Sequence, residues 1–152
     1  MHTQSLGQMI SRLYRKNQIY LNACLKPYGL TSTGVIILHV LYHHPDYSQD
    51  QIARHMDMDK AMITRSLRTL EEAGYLTIQK SQTNRRFNTV TLTQKARDRR
   101  NTFESIRDGW SRFLTENMSD EERQRMHELL AYMCVRLDDD NWLKEAKDYG
   151  EA

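Results

Sequence analysis

A chain of 152 residues has room for one domain with a full core, and 39% hydrophobic and 28% charged residues with only two prolines exclude a disordered or fibrous protein. No run approaches the roughly 18 apolar residues of a membrane span, and the first 25 residues lack the continuous apolar core of a signal peptide, so the expected location is the cytoplasm. The net charge of +2 hides a split: residues 1–59 carry five Lys or Arg against four acids, 60–100 ten against three, and 101–152 seven against thirteen. A central basic block of that density attracts a polyanion by releasing its condensed counterions.

In chain order, Leu6, Met9, Ile10, Leu13, Leu21, Cys24 and Leu25 recur at helical spacing and predict an amphipathic helix ended by Pro27 and Gly29. Thr31 offers the cap of a second helix, stopped near Pro45. Ser48-Gln49-Asp50-Gln51 is a capping box opening a short third helix. A turn at Asp57-Met58 follows, then Asp59 caps a helix over Lys60–Glu72 that Gly74 closes. The period then drops to two in residues 75–80 and 88–92, predicting a hairpin around the polar, basic tip 81–87. Thr93 caps a long helix expected over 94–117, and the Ser119-Asp120-Glu121-Glu122 box opens a final one through Met126, Leu129, Leu130, Met133 and Leu137. The fold expected is mainly α with a small β-hairpin, followed by a loosely held acidic tail at 139–152.

The helix after Asp59 has two faces. Ile63, Leu67, Leu70 and Gly74 suit a core, whereas Lys60, Ala61, Thr64, Arg65 and Arg68 share a stripe of small, hydroxyl and cationic residues facing solvent. Small residues let a helix approach base edges, Arg bonds bidentately to guanine, and Thr offers a hydroxyl or a methyl. The alternative is an ordinary solvated face. Its position on the second helix of a helix-turn-helix, the one that enters the major groove, favours DNA, as does the following Arg85-Arg86 tip.

Other chemistry is thin. Cys24 and Cys134 lie far apart with no CxxC spacing and are expected to be buried, inert thiols. His39, His43 and His44 cluster on or after the second helix, and His39 and His43 are four apart, a spacing that can bind a metal. Apart from the nearby Asp46, no Cys or acid sits within a few positions to complete the set, so no metal and no cofactor are assigned. No phosphate loop, nucleophile elbow or HExxH occurs, and the chain is not expected to be an enzyme.

Several short stretches resemble the MarR family of bacterial and archaeal transcription regulators. They are Gly29-Leu30-Thr31, Gln51-Ile52-Ala53, Ile63-Thr64-Arg65, Leu70-Glu71-Glu72-Ala73-Gly74-Tyr75-Leu76, Asn84-Arg85-Arg86 and Val90-Thr91-Leu92-Thr93. Their order and spacing carry the signal. The resemblance implies one MarR-like domain over 1–138, with a winged helix-turn-helix core at about 31–93 and N- and C-terminal dimerisation helices at about 5–27 and 94–138. It implies that Lys60, Ala61, Thr64, Arg65 and Arg68 meet the groove, and that Arg85 or Arg86 reaches a minor groove or phosphate. Asn84 stands where family wings often carry an Asp that braces the arginine, so no ion pair can form there.

Met126, Leu130, Met133 and Leu137 also form a stripe suited to packing against a second copy, and the expected partners are a homodimer mate and a pseudo-palindromic DNA operator. The family habit adds a small phenolic or drug-like effector, for which Tyr14, Arg15, Tyr20 and Tyr28 are candidate ligands or else packing residues. The functional expectation is a sequence-specific regulator, a repressor released by a small-molecule or stress signal. The rival is an architectural DNA binder without sequence preference.

Overall fold

Ser5 opens the first helix by reciprocal bonding: its hydroxyl accepts from the Gln8 amide while its own N–H donates to the Gln8 side chain. In the computed structural model, which describes residues 5–80, 88–138 and 141–150, this helix, α1, spans Leu6–Leu25. A 3-10 turn at Lys26–Tyr28 ends at Gly29, whose φ of 69° is the left-handed conformation a glycine adopts without strain. Thr31 caps α2 (Ser32–His43), the Ser48 box caps α3 (Gln49–His55), and Asp59 caps α4 (Lys60–Glu72) by accepting from the amides of Ala61 and Met62. Gly74 follows α4 at φ 76°. The caps at Thr31, Ser48 and Asp59 lie where the sequence marks them; the box at Ser5 is not among the expected caps.

Strands β1 (Leu76–Lys80) and β2 (Asn88–Leu92) pair antiparallel, with Leu76 opposite Leu92 and Lys80 opposite Asn88. The expected tip at 81–87, with Arg85 and Arg86, lies outside the described residues. A single bridge between Ser48 and Thr89 ties the hairpin to the start of α3.

The helix expected over 94–117 is two helices, α5 (Gln94–Asp98) and α6 (Arg100–Leu114), separated at Arg99. The Ala96 carbonyl accepts from the Arg99 amide at 3.2 Å and from the Tyr42 hydroxyl at 2.7 Å, so the ladder tightens to an i+3 bond at that point. Ser119 opens α7 as expected, but the helix (Asp120–Val135) stops short of Leu137. The tail expected to be loose contains a helix, α8 (Trp142–Gly150).

Two compact units, Met1–Ser111 and Arg112–Ala152, divide the chain within α6. In the first, Leu21 and Leu25 of α1, Val35, Ile37, Leu38 and Leu41 of α2, Ile52 of α3, and Ile63, Leu67 and Leu70 of α4 are buried with Leu76, Val90 and Phe103. Each fully buried large apolar side chain contributes roughly 1.5–3 kcal/mol. Polar ties between elements accompany them: the Ser32 amide donates to Asn22 Oδ1 at 2.8 Å, and the Ser32 hydroxyl donates to Gln18.

In the second unit α7 has no buried residue, and Met126, Leu129, Leu130 and Met133 are 36–47% exposed. The cysteines depart from expectation. Cys24 is only half-buried, and Cys134 is exposed like most of α7 around it.

Candidate nucleic-acid interface

The turn that presents α4 depends on Asp57, a non-glycine residue at φ 48°, a conformation that Asp adopts more readily than most side chains. The Met58 amide donates to the Ala53 carbonyl at 3.0 Å and closes the turn. Asp59 then satisfies the first amides of α4, its Oδ1 2.8 Å from Ala61 N and 3.2 Å from Met62 N. Beyond that cap, Ile63, Leu67 and Leu70 are at most 1% exposed and fix the inner face of α4. The rest of the helix is thereby turned outward.

On that outer face Lys60, Ala61, Arg65 and Arg68 are exposed and Thr64 is half-buried, so the structure brings the five together along one helix. Among the described residues neither Arg65 nor Arg68 has an ion-pair partner. Lys60 is engaged: its Nζ lies 2.7 Å from Asp50 Oδ1 of α3. An exposed pair of this kind is worth about 0–1 kcal/mol, too little to withhold the ammonium from a phosphate. The Thr64 hydroxyl donates to the Lys60 carbonyl at 2.8 Å and accepts from Gln49 Nε2.

Sequence reasoning did not find several residues that shape this face. Gln49, Thr64, Arg68, Glu71, Ile78 and Asn88 line a groove where α3, α4 and the hairpin meet. Glu71 Oε1 accepts from the Ile78 amide at 2.8 Å and ties β1 to α4. Lys95 Nζ donates to the Ala73 carbonyl at 2.7 Å, satisfying an acceptor at the negative end of α4. Met62, 41% exposed, stands among the stripe residues. No spacing rule flags these partners, although an exposed Met inside a polar stripe is itself a signal.

Of the four candidate effector residues, Tyr14 and Arg15 lie exposed on α1, where Arg15 donates to the Ser11 hydroxyl at 3.3 Å. The Tyr20 hydroxyl donates to the Ile106 carbonyl at 3.0 Å, and its ring meets Trp110 at 5.7 Å. Tyr28 stacks edge-on against Phe103 at 5.3 Å and accepts the Tyr75 hydroxyl at its carbonyl. Arg85 and Arg86 fall outside the described residues.

Comparison with known proteins bears on this arrangement. The sequence profile of the MarR family matches residues 30–87. The chain is 32% identical over 108 residues to the uncharacterised HTH-type transcriptional regulator YdgJ of Bacillus subtilis (strain 168), a match covering 69% of this chain but 64% of that one. A MarR transcriptional regulator from Methanosarcina mazei Go1 superposes with a TM-score of 0.82 at 28% identity, over 86% of this chain and 94% of the other. The S. aureus MepR–DNA complex superposes at 0.80 with 19% identity, over 88% and 98%, a likeness of fold.

Proposed function

We propose that the chain is a transcription regulator of the MarR family, a cytoplasmic homodimer that reads a pseudo-palindromic operator in duplex DNA. The observation that carries the reading is the exposed stripe on α4, where Arg65 and Arg68 stand without ion-pair partners among the described residues beside Ala61 and Thr64. Such a helix enters the major groove with its cations on guanine edges and phosphates and its small residues against the bases. Lys60 exchanges Asp50 for a phosphate. Arg85 and Arg86 follow the minor groove or backbone. That the MepR structure contains DNA supports the same use of a shared fold.

The winged core is assigned to residues 31–93, and the helices at about 5–27 and 94–138 to dimerisation. Leu6, Met9, Ile10 and Leu13 of α1 are 44–53% exposed, the α7 apolar residues already described are exposed too, and exposed apolar faces of this kind mark interfaces. The regulator is a repressor, competing with polymerase until a small phenolic or drug-like effector or a stress signal resets the spacing of its two recognition helices. Tyr14, Arg15, Tyr20 and Tyr28 are the effector candidates. An architectural binder without sequence preference is the reading to be excluded.

Arg65→Ala separates the two. Operator affinity is expected to fall by about 1–3 kcal/mol while affinity for unrelated duplex changes much less. Equal losses on both DNAs, or none on the operator, contradict base recognition by α4.

A further inference from the structure

His39 and His43 stand one turn apart on α2 with ring centroids 4.6 Å apart. Near them in sequence nothing completes a ligand set, but folding delivers Glu104 from α6, whose Oε1 lies 3.9 Å from His43 Nε2. One donor atom from each of the three residues lies within 4.8 Å of the other two. We propose that His39, His43 and Glu104 form a binding site for a divalent first-row transition metal of zinc's kind, joining α2 to α6.

The geometry is close to what that ion needs. Bond lengths of about 2.0–2.2 Å at tetrahedral angles put ligand atoms roughly 3.4 Å apart, so from separations within 4.8 Å the donor atoms close by about 1.4 Å at most. Two imidazoles with one carboxylate select zinc and its neighbours over magnesium or calcium, which take oxygen donors. Three protein ligands leave a fourth position for water or another donor.

Two further features agree. His39 Nδ1 is buried with no hydrogen-bond partner among the described residues, and an orphaned polar atom of this kind costs about 1–3 kcal/mol unless something fills the place. Arg100 Nε donates to Glu104 Oε1 at 2.9 Å, orienting the carboxylate.

The test uses the full, untagged chain after removal of metal by a chelator. Zn2+ and Co2+ are titrated in competition with a chromophoric chelator, and one equivalent per chain is expected. His43→Gln and Glu104→Gln, with helix content checked by circular dichroism, are each expected to weaken binding about 100-fold or more. His55→Gln, a histidine outside the cluster, is expected to bind as the unaltered chain does. Zinc is also expected to raise the melting temperature of the unaltered chain and of His55→Gln alone, because it binds the folded state. Absence of saturable binding at micromolar zinc overturns the site, as does unaltered affinity in both cluster variants.

Discussion

Tyr75 shows how much one side chain at the exit of α4 holds together. It is 1% exposed, its hydroxyl donates to the Tyr28 carbonyl at 2.9 Å, and its ring meets Phe103 at 5.6 Å. Lys95 Nζ, which also bonds the end of α4, lies 4.4 Å from its ring centroid. Burial raises the phenol's pKa, keeping it a neutral donor. Tyr75→Phe keeps the packing and removes the hydroxyl, and is expected to lower unfolding stability by about 1 kcal/mol. Chemical denaturation reads this, and an unchanged midpoint with an unchanged slope contradicts it. None of this was legible from sequence, where Tyr75 is only the first residue of an alternating run. Gln49, Glu71 and Lys95 escaped for the same reason: their roles come from partners fifteen, seven and twenty-two positions away.

At the scale of elements, local chemistry was legible and tertiary chemistry was not. The boxes at Ser48 and Ser119 and the caps at Thr31, Asp59 and Thr93 depend on residues three apart at most, and the helices start where those residues predict. The break at Arg99 has no such signal, because the hydroxyl that shares the Ala96 carbonyl belongs to Tyr42, fifty-four positions earlier. The Tyr42 phenol, buried and near Glu104, is pushed up to about 12, so it stays protonated as that donor.

The hairpin was legible as strands by their period, and the register opposing Lys80 to Asn88 leaves residues 81–87 as the connection between them. Arg85 and Arg86 belong to that connection. Replacing both with Ala is expected to weaken DNA binding and lower the slope of log affinity against log salt by up to about 2, one unit for each phosphate no longer neutralised. An unaltered slope removes the wing from the interface.

At the scale of the whole molecule, the charge split is the broadest signal: ten Lys or Arg against three acids in residues 60–100, beside an acidic final third. It was legible at once and points to a polyanion without naming the site. The stripe on α4 was legible too, since its helical period separates Ile63, Leu67 and Leu70 from Lys60, Arg65 and Arg68. The α7 apolar stripe reads from the sequence as suited to packing against a second copy, with packing inside its own chain as the lesser alternative. In the folded chain the α1 and α7 apolar faces are exposed. Among the described residues no single helix is long and apolar enough to cross a membrane; in the proposed reading a second copy covers these faces.

Dimerisation and sequence reading meet in one measurement: selection of the DNA fragments that the purified chain retains from its source genome at physiological salt. A two-fold dimer with one recognition helix per subunit is expected to enrich an inverted repeat, its half-sites centred about one helical turn, roughly 10 base pairs, apart. Retained fragments that share no inverted repeat, with affinity set by salt alone, contradict the account and leave the chain an architectural binder.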